Sequence, residues 1–380
     1  MIRLFQVRMA EEAPDEVAKV LRSGYIGEGP KVKEFEDALK KRITPTHTLD
    51  ERFVVATNSA TSAEHLAYRL MEGLDDDGGA DEVLATPLTC TATNWPILAN
   101  GLKIRWVDVD PLTMNVDLDD LARKITPRTK AISVVHWGGY PVDMERLNEI
   151  RDEAYGRIGV CPSIIQDCAH AFGSTLYEQE LTKWADYSTF SFQAIKHLTC
   201  GDGGALVCAH KGDYDRAKLL RWYGIDRDGP RKDFRCEADI PAWGYKFHMN
   251  DISATIGLAN LSLLDDTLAK HRANAKFYND ELSCRSDVGV LKNEEGFDSA
   301  YWLYTIRVED RDGFMRMMKE RGVEVSRVHE RNDKHSCVSQ YRALLPNLEK
   351  VSKDMICIPV GWWVTKEERE YIVDCIKGGW

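Results

Sequence analysis

The sequence predicts an α/β fold: a large domain with a mostly parallel sheet flanked by helices, followed by a smaller C-terminal α+β domain. Two observations carry this expectation. Between about residues 50 and 210, short β-rich apolar runs alternate with longer amphipathic stretches, the pattern of βαβ units whose crossover helices cover a parallel sheet. After Asn250 the pattern changes to a long helical stretch and then to short mixed elements.

In chain order, EAPDEVAKVLRSG and PKVKEFEDALKKRI read as amphipathic helices around a glycine-rich turn from Gly24 to Pro30. The expected strands are FVVAT from Phe53, EVLATP from Glu82, IRWVDVD from Ile104 and AISVVH from Ala131, then SIIQD from Ser163, STFSF from Ser188 and GALVC from Gly204. DISATIGLANLSLLDDTLAKHRANAKFYNDEL has apolar residues at helical spacing throughout. Beyond it, YWLYTIRVE reads as a strand, DGFMRMMKERGV as a helix and KEEREYIVDCIKGGW as a closing helix. The expected division is a large domain over residues 1–250, with an N-terminal arm, and a smaller one over 251–380. No internal repeat or low-complexity segment interrupts this order.

Composition narrows the function classes. The chain has 380 residues, 43% of them hydrophobic, enough for a buried core. Its 61 acidic and 50 basic residues give a formal charge of −11 spread along the chain, which argues against a nucleic-acid or membrane-surface partner. MIRLFQVRMAEEAPDE meets charge within three residues and lacks the apolar run of a signal peptide. The ten cysteines are scattered with no CxxC pair, so reduced thiols in a cytoplasmic protein are expected and a zinc site is not.

Three segments could carry chemistry. In ATNSATSAEHL a strand end turns into a helix around Ser59, Ala60 and Thr61. Free amides at a helix N-terminus suit a phosphate, and simple capping of the helix would place the same residues there. In SIIQDCAHAFG, Asp167 ends an otherwise apolar strand with His170 three residues on. A buried carboxylate needs a partner; a capped turn beside a satisfied core histidine is the plainer alternative. In STFSFQAIKHLTCGDGGALV, Lys196 stands among small and apolar residues before a glycine turn. Burial disfavours the ammonium form and readies such an amine for Schiff-base chemistry, whereas most lysines are solvated. GYIGEGPK lacks the GK[ST] of a Walker loop, GDGG lacks GxGxxG spacing, and HERNDKH is not HExxH.

Taken in order, these segments resemble the DegT/DnrJ/EryC1/StrS family of nucleotide-sugar aminotransferases, a branch of the fold-type I pyridoxal-phosphate enzymes. The likeness begins at SGYIGEGPKVKEFEDAL and TNSATSAEHLA, continues through VDVDPLTMNVDLDDLARKITPRTKAISVVHWGG and peaks at QDCAHAFG and FSFQAIKHLTCGDGGAL. It carries on into GYKFHMNDISATIGLANL and CIPVGWWVTKEE. The resemblance implies that Lys196 is the Schiff-base lysine and Asp167 the partner of the pyridine nitrogen. It implies that His170 contacts the ring hydroxyl, and that Ala60, Thr61 and Ser191 reach the cofactor phosphate. His329 and Arg331 match positions that contact the sugar nucleotide in some members.

Two positions depart from the family pattern. Cys90 stands where many members stack an aromatic residue on the cofactor ring, with Trp95 five residues later. His248 stands where Asn or Arg often reaches the phosphate of a neighbouring subunit.

The activity implied is ping-pong transfer of an amino group from glutamate, through pyridoxamine phosphate, to a nucleotide-linked keto sugar. The compact AIKHLTCGDGG resembles members that aminate carbon 4, hence a 4-keto-6-deoxy sugar. Homodimers with the active site at the subunit interface are also implied. The alternatives are a sugar dehydratase of the same family, in which histidine replaces the cofactor lysine, a fold-type I enzyme acting on amino acids, and a non-enzymatic regulator. Lys196 favours aminotransfer over the dehydratase.

Overall fold

The computed structural model describes residues 1–44, 51–71, 79–227, 229, 233 and 239–380. Cys236 lies outside the described residues.

All seven expected strands form one sheet. They are β1 Phe53–Thr57, β2 Glu82–Ala85, β3 Lys103–Trp106, β4 Thr129–Val135, β5 Ser163–Asp167, β6 Tyr187–Ser191 and β7 Gly204–Cys208. Their spatial order is β1-β7-β6-β5-β4-β2-β3. The pairs from β3 to β6 are parallel, and β7 runs antiparallel to both of its neighbours. The central strands are buried along nearly their whole length, which is why they read as continuous apolar runs and not as alternating ones.

Helices cover the sheet. α1 (Ala13–Ser23) and α2 (Pro30–Ile43) form as expected, followed by α3 (Ala60–Leu70), α4 (Thr91–Ala99), α5 (Leu118–Lys124), α6 (Met144–Ile158) and α7 (Lys211–Leu220). The long helical stretch after Asn250 is broken into α8 (Asp251–Leu261) and α9 (Leu264–Leu282). Asn260 sits at the break, taking Ala10 N–H at 2.8 Å and donating to Thr199 O at 2.8 Å. Such long-range bonds leave no trace in helical periodicity. Asp251 caps α2 from another part of the chain, its carboxylate accepting from Gly29 N at 2.9 Å and Val32 N at 3.1 Å.

The exposed edge of β1 is closed by side chains. Ala56 N–H donates to Glu36 at 2.8 Å and Ala56 O accepts from Arg221 at 2.8 Å. Arg221 is itself buried between Glu28 and Glu36. An edge strand whose polar groups are taken in this way cannot recruit another strand.

A second sheet of β8 (Gly289–Val290), β9 (Tyr304–Arg307) and β10 (Met355–Ile358) is antiparallel. It packs with α10 (Arg311–Glu320) and α12 (Lys366–Lys377) around Tyr278, Ile306, Phe314, Ile356 and Ile372. α11 (Pro346–Asp354) runs into β10. Cores are shared across position 250. Leu264 and Leu268 of α9 join the large core, Ala275 and Tyr278 the small one. Ile2 belongs to the small core and pairs with Val323.

Gly204, where β7 begins, pairs with Thr57 on one side and Ser191 on the other. A Cβ there would lie 2.3 Å from Ser59 C and 2.4 Å from Ala60 N. Backbone cannot give way as a flexible side chain can, so Gly204→Ala is expected to lower stability by about 1–3 kcal/mol, read as a lower denaturant midpoint at unchanged m-value.

Candidate active site

The ends of β1, β5 and β6 and the start of β7 lie at one end of the sheet, where an open α/β sheet places its ligand. The turn after β1 lies at one side. Ser59 caps α3 by accepting Ser62 N–H at 3.1 Å, and Ser62 in turn bonds Asn58 at 2.6 Å. Ala60 and Thr61 occupy the first two helical positions, whose amides have no carbonyl within the helix. Gly204 brings Ser191 beside this turn.

Asp167 ends β5, 6% exposed. One carboxylate oxygen accepts from Thr93 Oγ1 at 2.7 Å and the other from Ala169 N at 2.8 Å. Burial nonetheless raises its pKa, against the lowering pull of these two bonds and of Lys196. This is a carboxylate with room for one more cationic partner.

Lys196 lies in the loop from β6 to β7, which is pinned by Phe192 N to Gly203 O and Cys200 N to Phe192 O, both 2.9 Å. Part of its side chain is open to the crevice, but its amine sits 3.4 Å from the centroid of the Trp302 ring. Desolvation brings its pKa down to about 7, while Asp167 and Cys90 pull the other way. An amine so placed is free base over part of the neutral range, as a nucleophile or a general base must be.

His170 stacks on Trp302, ring centroids 3.9 Å apart, and its Nδ1 faces Gly138 N at 3.4 Å. His329 lies parallel to His170 at 5.6 Å and edge-on to Trp137 at 6.0 Å. Its Nε2 is buried without a protein partner, and burial first, then Lys196, pushes its pKa down to about 4. Val328, just before it, holds φ at +65°, a sparsely populated region for a β-branched residue that costs about 1–3 kcal/mol.

Cys90 caps α4 and faces Lys196 closely enough to affect its charge. Trp95 turns the other way, onto His335 at 5.8 Å. His248 is bridged through its backbone to Thr57, beside the phosphate-type turn, while its ring lies on Trp222 at 3.7 Å.

Arg331 is held by its own loop and by α11. Its guanidinium is buried, held by both oxygens of Asp333 at 2.8 and 2.6 Å and by Glu349 at 2.6 Å. With Asn332, which bonds Pro87 O, Thr89 O and Asn94, it anchors the loop that presents His329.

Sequence reasoning missed two residues. Thr93 has no local signature, because its role depends on α4 meeting β5. Trp302 was legible only as part of the aromatic run YWLY, and nothing nearby in sequence connects it with Lys196. Among the described residues, no group of three or more His, Cys, Asp or Glu could hold a metal ion, and no helix is long and apolar enough to cross a membrane.

Residues 7–377 match the DegT/DnrJ/EryC1/StrS aminotransferase family. The structure superposes on AtS13 from Actinomadura melliaura with a TM-score of 0.94 and 47% identity, covering 100% of this chain and 99% of that one. The sugar aminotransferase CalS13 from Micromonospora echinospora gives 0.94 and 44% with 100% of both chains covered. The PLP form of Spr1654 from Streptococcus pneumoniae gives 0.87 and 26%, covering 99% and 97%. The architecture is therefore the fold-type I arrangement of pyridoxal-phosphate-dependent transferases. The chain belongs to the DegT/DnrJ/EryC1/StrS aminotransferase family and is a pyridoxal-phosphate-dependent aminotransferase.

Proposed function

We propose that the protein moves an amino group from glutamate to a nucleotide-linked keto sugar, at carbon 4 of a 4-keto-6-deoxy sugar. The observation that carries the reading is the pairing, in one crevice, of a desolvated lysine amine with a buried carboxylate that still lacks a full cationic partner. Pyridoxal phosphate fits this donor set. Asp167 would hold its ring nitrogen, His170 its ring hydroxyl, and Ala60, Thr61 and Ser191 its phosphate. Cys90 would cover the ring, and Lys196 would carry the cofactor covalently. When bound, the cofactor supplies an electron-withdrawing ring that makes the carbon bearing the amine acidic.

The chain's own residues do the rest. With the cofactor held, Lys196 Nζ would accept a proton from the donor carbon and later give it back, and its lowered pKa suits both directions. Asp167 keeps the ring nitrogen charged by remaining ionised. Trp302, Trp137 and His329 pack as an aromatic cluster beside the Lys196 amine, which favours a sugar and limits water. His329 is the substrate contact, its unpartnered Nε2 being available to a sugar or phosphate oxygen. The relatives support the sugar: CalS13 is a sugar aminotransferase. Glutamate as donor and the carbon 4 position rest on the family resemblance.

Cofactor uptake should depend on the lysine as a free base. Sign and window follow from its pKa of about 7: the amine is reactive above that pH. The rate of pyridoxal phosphate incorporation, followed by absorbance, should therefore fall about tenfold per pH unit below it. A profile still rising near the usual lysine range would overturn the assignment, as would a Lys196→Ala variant with full turnover.

Adding glutamate to the loaded protein should bleach the cofactor band and release the keto acid. A panel of nucleotide-linked keto sugars should then restore the band, with the aminated product identified by mass and NMR. Cleavage of another amino acid, with glutamate inert, would instead support the amino-acid class of fold-type I enzymes.

A homodimer with the site at the subunit boundary completes the proposal, with His248 reaching across. Trp243 and Tyr25, 64% and 57% exposed near that segment, give such a boundary apolar surface. Analytical ultracentrifugation should show a dimer, and a fully active monomer would exclude it.

A further inference from the structure

Glu64 lies one turn into α3, beyond the residues placed at the cofactor phosphate. Its neighbours on the helix are Ala63, Leu66, Ala67 and Leu70, all fully buried, and it is itself 1% exposed. A carboxylate in that stripe needs a cation or several donors. Among the described residues, no cation is its neighbour: another carboxylate, Asp167, the Tyr68 hydroxyl and the Cys168 thiol face it, and the Thr189 hydroxyl donates to Oε1. Oε2 is buried with no partner, and the Tyr68 hydroxyl, a turn further on, is turned to Ser133. Thr189 and Asp167 are register partners on β6 and β5, so Glu64 grips the residue directly beside Asp167.

Two carboxyls that share a desolvated place do not both ionise. The donors decide which one keeps the proton. Asp167 has Thr93 Oγ1, Ala169 N and the charge of Lys196, while Glu64 has Thr189 alone.

We infer that Glu64 is a positioning residue for the cofactor, a buried neutral acid that fixes Thr189 and keeps Asp167 the ionised member of the pair. This rests on the proposed role of Asp167 toward pyridoxal phosphate. Burial pushes the Glu64 carboxyl well above its ordinary range, with the Asp167 charge adding and the Thr189 bond opposing. Were Glu64 to ionise, the second charge would drive a proton onto Asp167 and weaken its hold on a charged ring nitrogen. Were it apolar, the Thr189 hydroxyl would lose its acceptor, and the strand position beside Asp167 would lose the bond that fixes it.

Glutamine copies a protonated glutamate in shape and charge but does not copy a carboxylate. Glu64→Gln should therefore bind pyridoxal phosphate within about twofold of the parent, and Glu64→Leu roughly tenfold more weakly, the equivalent of one lost buried hydrogen bond. NMR of cofactor labelled at the ring nitrogen should report a protonated nitrogen in the parent and the glutamine variant, and a reduced protonated fraction in the leucine variant. A merely structural role would not move that signal. In the cofactor-free protein at neutral pH, the infrared carbonyl stretch of a protonated carboxylic acid should be present in the parent and lost in Glu64→Gln; this measurement stands even where the leucine variant does not fold. A glutamine variant as weak as leucine, a folded leucine variant equal to the parent, or no infrared band lost would each overturn the inference. Failure of the parent itself to take up pyridoxal phosphate would instead overturn the functional reading beneath it.

Discussion

A carboxylate withdrawn from water is stable only where donors or cations replace the water it lost. Asp167 stands at the end of a strand buried on both faces, and the surrounding parts answer that demand. α4 delivers the Thr93 hydroxyl, the turn after β5 delivers the Ala169 amide, and the loop after β6 brings the Lys196 charge. None of the three cancels the desolvation. The carboxylate is thus left short of full compensation, a local electrostatic demand built in by the fold.

The same economy of position shapes the rest of the crevice. Reversal of β7 puts its first residue between β1 and β6, and the absence of a side chain there lets the turn of α3 settle against the sheet. Phosphate-type turn, carboxylate and lysine come from three separate connections, the last of them between the antiparallel β6 and β7, and they lie at one end of the sheet because their strands are adjacent or nearly so. The neutral histidines around the amine, 170 and 329, leave Lys196 as the titrating cation of the group. Their rings act as packing surfaces with polar tips.

Much of this was legible in the chain. The seven strands announced themselves because full burial makes each a short apolar run, and Asp167 and Lys196 stood out because each is a charge in apolar company. What escaped depends on contacts distant in sequence. Helical periodicity carries through Ser262 and Leu263, but Asn260 is recruited by Ala10 and Thr199, so the helix ends there. Thr93, Trp302 and Glu64 look like ordinary members of an apolar helix, an aromatic strand and a capped helix until the elements are assembled. The partners of Arg331 were equally hidden. A motif position shows which residue faces the crevice loop, not whether Asp333 and Glu349 have already taken its guanidinium.

The pairing of Ile2 with Val323 bears on the order in which the molecule is made. Leu4 N–H meets Glu324 across 320 residues of chain, and Phe5 stacks on Trp302 at 5.2 Å. The segment around Leu4 therefore waits for a partner that follows 320 residues later. The parallel sheet can assemble while synthesis continues, since its strands arrive in a compact block. The core that contains Ile2, and the indole on which Lys196 rests, reach their final packing only once Trp302 and Val323 have been made.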